Sequence, residues 1–243
     1  MKTLLTGGVV VTCDPQHTIF APGDLVLEDD RIAFVGAHYA GAYDQRLPVD
    51  GRLLLPGLIN AHTHAPMALF RSLSDDVDLQ VFLYERVWPR ELRLTPEEAY
   101  AGALLSAIEM LKSGVTTYVD MYFFEDELVR AALDAGSRAL ITPGILDVPA
   151  WAPLLGTWEQ RTAMVLDFCH RWEGHAGRIQ TGLGPHALYA RTLAWEPWKR
   201  NRHLVLWYGD GAQANHVPGG PDACSRPSYG CPCHCTTTRA HAG

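Results

Sequence analysis

The sequence has no long uncharged apolar run of the kind a membrane-spanning helix needs, so no membrane partner is expected. Nor is there a surplus of basic residues. Lys and Arg together number 20 against 27 Asp and Glu, a formal net charge of −7, which gives no reason to expect nucleic acid or an anionic membrane surface as partner. Cysteine is scarce up to residue 223, where only Cys13 and Cys169 occur, a usage that fits a reducing compartment. The start, MKTLLTGGVVVTC, lacks the features of a secretory signal, because Gly7 and Gly8 break the apolar run and no small-residue cleavage site follows. These absences predict a cytoplasmic protein.

What is present is ordinary for a globular chain: 243 residues, 47% apolar and 19% charged, enough for one large domain or two small ones. The most informative stretch is LLLPGLINAHTHAPMALFR, from Leu53 to Arg71. Its apolar run reads as a buried strand that passes Pro56 and Gly57 and delivers His62 and His64 at its end. Residues spaced i, i+2 on a strand face the same side, so the two imidazoles converge. They make a half-site for one divalent metal ion, zinc before others, which needs one or two further protein ligands and a water.

Before this stretch, residues 2–49 alternate short β-rich runs with turn formers and read as a small antiparallel sheet. After it, strands and helices alternate, which argues for βα units on a parallel sheet. A helix is expected over 96–112, opened by a Thr95/Glu98 capping box with Pro96 in the first turn and closed near Gly114. Tyr100, Leu104, Ala107, Ile108 and Leu111 should form its apolar face. Further helices are expected over 125–135 and 158–172. Four strands then end near His62, Asp120, Asp147 and His186.

The phrases PGLINAHTHAPMALFR, VWPRELRLTPEEAYAGALLSAIEMLKSGVTTYVDMYF and GLGPHA occur in this order. With them the chain resembles the amidohydrolase superfamily, and within it the 5-methylthioadenosine/S-adenosylhomocysteine deaminases and chlorohydrolase-like members, over about residues 1–189. The resemblance implies an α/β fold: a (β/α)8 TIM-type barrel of which only the first half is visible, with an N-terminal piece of a β-sandwich. Strand C-termini in such a barrel share one face, which carries the chemistry, and a whole barrel takes about 250 residues. The expected organisation is therefore residues 1–55 for the sandwich piece and 56–189 for the first βα units. Residues 190–243 form an atypical tail, as an altered reading frame with an early stop would leave.

By the same resemblance His62 and His64 are metal ligands. Glu91, in WPRE, binds ribose hydroxyls; its alternative is a solvated glutamate ahead of a helix. His186, in GPHA, contacts substrate, or else is merely structural. Arg161 meets the carboxylate of a homocysteine tail, or else is an exposed helix arginine. Pro143 departs from the arginine that S-adenosylhomocysteine deaminases can carry there, which leaves an adenosine-like substrate without that tail open. The implied reaction is hydrolysis of a C–N bond of an adenosine-type nucleoside by a metal-bound hydroxide. The family's third histidine ligand, followed three residues later by a proton-transfer glutamate, is not found, and no Glu follows Glu196. Truncation would leave this chain without the later ligands. Other substrates of the class, guanine or a triazine, remain open, as does a non-enzymatic metal-binding tail built on Cys231, Cys233, Cys235 and His234. Uncovered sheet edges in a half barrel predict poor solubility or association between copies.

Overall fold

A computed structural model describes residues 1–146 and 148–186. The strand end expected at Asp147 and the tail with its cysteines and His234 lie outside these residues.

The N-terminal sheet begins as an antiparallel meander of β1 (Lys2–Val11), β2 (Ile19–Glu28) and β3 (Arg31–Gly36). The following segment carries the chain back, and β4 (Gln45–Pro48) and β5 (Leu53–Leu54) both run parallel to β1. The sheet is thus mixed, not wholly antiparallel as the turn pattern suggested. Buried Asp24 helps hold the returning segment, accepting hydrogen bonds from Thr6 Oγ1 (2.5 Å) and the Tyr39 amide (2.8 Å).

The second sheet starts with β6 (Leu58–Thr63), followed by a 3-10 segment at Ala65–Phe70 and a π-helical segment at Val81–Val87. Then come α1 (Trp88–Glu91), α2 (Pro96–Lys112), β7 (Val115–Asp120), α3 (Glu125–Ala135), β8 (Arg138–Ile141) and β9 (Gly144–Ile145). After a short turn come α4 (Ala152–Leu155), α5 (Trp158–Trp172), β10 (Ile179–Thr181) and β11 (Gly184–Pro185). Strands β10, β8, β7 and β6 lie in that order, all parallel, and β11 pairs with β9 in the same sense. Pro143, with no N–H to donate, falls in the break between β8 and β9. Among the described residues no helix is long and apolar enough to cross a membrane.

Local chemistry accounts for the three long helices. Thr95 and Glu98 make the expected capping box at α2, and Thr157 with Gln160 makes a second at α5. Gly136, in the left-handed region at φ 83°, ends α3. Two expectations need correction. Of the expected face of α2, Ala107 is buried and Tyr100 and Leu104 pack against the core, but Ile108 is exposed, and the fully buried positions are the small Ala99, Gly102, Ala103 and Ala107. Small residues are required because α2 lies close against the 3-10 segment: a Cβ on Gly102 would sit 2.6 Å from the Pro66 carbonyl oxygen. The run expected to be a buried strand is instead open, with Leu58 58% and Ile59 70% exposed. Among the described residues strand β6 lies at the edge of its sheet, paired there to β7.

Gly102→Val forces α2 away from the turn that follows His64. Its expected cost is about 2 kcal/mol, in the range of core overpacking, read as a lower urea midpoint with unchanged slope.

Candidate active site

Main-chain hydrogen bonds gather the strand ends. The Met121 amide donates to Thr63 O (3.2 Å), the Thr142 amide to Asp120 O (2.8 Å), the Gly144 amide to Tyr122 O (2.8 Å) and the His186 amide to Ile145 O (3.2 Å). His62, His64, Asp120, Tyr122 and His186 thereby come to one end of the parallel strands.

His62 lies in β6 and His64 two residues on, their ring centroids 5.4 Å apart and their planes at 83°. His64 Nδ1 is 2.6 Å from the Met121 carbonyl oxygen. A carbonyl only accepts, so Nδ1 carries a proton, and in the neutral ring Nε2 is then the lone-pair nitrogen, the form in which imidazole binds a metal. Two imidazoles so arranged suit zinc. Among the described residues no group of three or more His, Cys, Asp or Glu could hold an ion, so the pair would at most be part of such a site.

Tyr122 links this pair to Glu91. Its ring centroid is 6.4 Å from that of His64, and its hydroxyl donates to Glu91 Oε1 at 2.8 Å. Glu91, on α1, is 6% exposed, which rules out the solvated alternative. Burial pushes its carboxyl up to about 7 against the opposing pull of the Tyr122 hydrogen bond. Burial and the adjacent Glu91 push the Tyr122 phenol up as well. His186, directly after β11, is half-buried, and burial, with a smaller electrostatic contribution from the neighbouring His64 ring, pushes its imidazole down to about 4, so it is neutral at pH 7.

Asp120 is completely buried, with Oδ1 accepting from the Ala65 amide at 3.1 Å, and burial pushes its carboxyl up to about 7. Neither Asp120 nor Tyr122 was singled out for chemistry from the sequence. The available signal was a carboxylate closing an otherwise apolar strand.

Arg161 is placed differently from either expectation. It is 3% exposed, so it is no surface helix arginine. Its guanidinium donates to Glu125 Oε1 (3.0 Å) and Oε2 (3.2 Å), and its Nε to Gly144 O (3.0 Å). Arg161 ties α5 to the start of α3 and to β9.

Residues 53–195 match the family model described as Amidohydrolase family. The 5-methylthioadenosine/S-adenosylhomocysteine deaminase 1 of Syntrophus aciditrophicus is 40% identical over 223 residues, covering 90% of this chain and 48% of the relative. The 5'-deoxyadenosine deaminase of Methanosarcina mazei is 37% identical over 185 residues, covering 76% of this chain and 42% of the relative. Among solved structures, a zinc-bound adenosine deaminase from Xanthomonas campestris superposes with a TM-score of 0.71 at 31% identity, over 77% of this chain and 43% of that one. The chain spans less than half the length of the curated relatives it matches. A 90% share exceeds what residues 1–189 make up, so the likeness continues beyond them.

Arg161→Ala leaves Glu125 buried without its partner and should cost about 3–5 kcal/mol. Arg161→Met combined with Glu125→Leu should recover most of that, both measured by urea unfolding. Glu91 gives a pH effect of definite sign. Its folded pKa lies above the unfolded one, so the native state binds the extra proton and its contribution to stability falls as pH rises toward 7. Glu91→Gln should therefore lose less stability than the unsubstituted chain between about pH 5 and about pH 8. Equal losses would show that Glu91 does not titrate in this window.

Proposed function

The chain belongs to the amidohydrolase family, and we propose that it carries the metal-binding and ribose-binding half of an aminohydrolase acting on adenosine-type nucleosides. The observation that carries this reading is the convergence of His62 and His64 at the end of β6, with His64 held in its metal-binding tautomer by Met121. The names of the relatives and the zinc in the adenosine deaminase structure support the substrate class and the metal. The four parallel strands, three of them followed by helices, support a (β/α)8-type barrel, and the mixed N-terminal sheet supports its place in a β-sandwich beside it.

A divalent ion on His62 and His64 would supply Lewis acidity that makes water nucleophilic near neutral pH. The chain's own residues do the rest. Tyr122 fixes Oε1 of Glu91, which leaves the second carboxylate oxygen to accept from a ribose hydroxyl. His186, neutral at pH 7, can donate or accept a hydrogen bond without bringing a charge to the base. Pro143 and the commitment of Arg161 to Glu125 both favour a substrate without a carboxylate tail. 5'-Deoxyadenosine and methylthioadenosine fit this better than S-adenosylhomocysteine.

No His-x-x-Glu pair follows His186 in the sequence, so binding rather than turnover is the decisive measurement. Zinc-loaded chain should bind 5'-deoxyadenosine at least as tightly as S-adenosylhomocysteine in a calorimetric titration. Glu91→Gln should weaken adenosine binding about tenfold, the scale of one charge-assisted hydrogen bond, and leave 2',3'-dideoxyadenosine unaffected. Absence of nucleoside binding, or equal loss for both nucleosides, would overturn the reading.

A further inference from the structure

The last residue of β7 is a carboxylate with no access to water. Asp120 is paired in register with Thr63 of β6, and its Oδ1 accepts from the Ala65 amide. The next residue, Met121, receives Nδ1 of His64 on its carbonyl oxygen. The last residue of β7 and the one after it therefore grip consecutive residues, Ala65 and His64, of the turn. Asp120 Oδ2 has no hydrogen-bond partner among the described residues.

An asparagine would accept from the Ala65 amide equally well through its side-chain oxygen. Burying a carboxylate with one oxygen unpaired is far more costly than burying an amide, unless a positive charge lies close by. A cation held by the two histidines would be such a charge, on the residue next to the one whose amide Asp120 grips. We propose that Asp120 is the positioning residue and counter-charge of that cation: its carboxylate fixes the His64 turn and strengthens metal binding without itself being a ligand. This rests on the reading of His62 and His64 as a metal pair.

The test is zinc affinity of the full chain, measured by competition with a chromophoric chelator. The variants are Asp120→Asn, the double variant His62→Ala with His64→Ala, and all three changes together. Asp120→Asn should weaken zinc binding about 10–100-fold, the usual effect of removing a group that supports a ligand. It should have no effect once both histidines are gone, which a merely structural residue would not show. Unchanged affinity in Asp120→Asn, or the same loss with and without the histidines, overturns the proposal. If the double variant binds zinc as tightly as the unsubstituted chain, the metal reading itself fails and the role of Asp120 falls with it. A second measurement needs no variant. Zinc should slow hydrogen exchange of the Ala65 amide, because the cation holds Asp120 ionised and its bond to that amide strong, and no slowing counts against the proposal.

Discussion

Everything at the candidate site depends on the pairing of β6 with β7. Among the described residues strand β6 is an edge strand with exposed leucine and isoleucine, so on its own it would have little reason to hold one conformation. Its approach to β7 is close: a Cβ on Gly57 would lie 2.1 Å from Thr116 Oγ1, so the Pro-Gly step ahead of β6 is a packing requirement. From that pairing follows the contact of Met121 with His64, which selects the tautomer. On the opposite side α2 holds the same turn, with Ser106 Oγ donating to Ala65 O at 2.7 Å and Gly102 packed on Pro66. Ala65, the residue beside His64, is thus held through its amide by a strand and through its carbonyl by a helix that come from different parts of the chain. Fixing a ligand in this way reduces the entropy it must lose on binding.

The features that were legible in the sequence are those decided within a few residues. The starts of α2 and α5 lie in Thr-x-x-Glu and Thr-x-x-Gln, and the end of α3 lies in Gly136, so their bounds could be read directly. The His-x-His spacing needed only a strand to give it meaning. What could not be read depends on partners far along the chain. The burial of Glu91 is set by Tyr122, 31 residues on, and that of Arg161 by Glu125, 36 residues back. Both residues carry charges that composition alone places on the surface. Ile108 departs for a related reason: helical periodicity found most of the packed face of α2, but the close approach of its neighbour centres that face on the small residues Gly102 and Ala103 and leaves Ile108 at its edge. The parallel course of β4 and β5 likewise depends on where the chain returns after β3, which no local turn signal encodes.

The titratable groups around the histidine pair shift in one direction, toward neutrality. Glu91 and Asp120 are pushed up to about 7 and His186 down to about 4, and loss of water is the leading cause in each case. A site of this kind is costly to ionise and screens poorly, so a charge introduced there acts strongly on its neighbours. A divalent cation on His62 and His64 would reverse the balance for the two carboxyls and reinforce it for His186. Asp120 and Glu91 would ionise more readily, while His186 would stay neutral. An ionised Glu91 is a much better acceptor for a ribose hydroxyl than its protonated form, and a neutral His186 suits an uncharged purine. On the proposed function, metal binding and nucleoside binding would therefore be coupled through the dryness of the site, even where no atom of the nucleoside touches the ion.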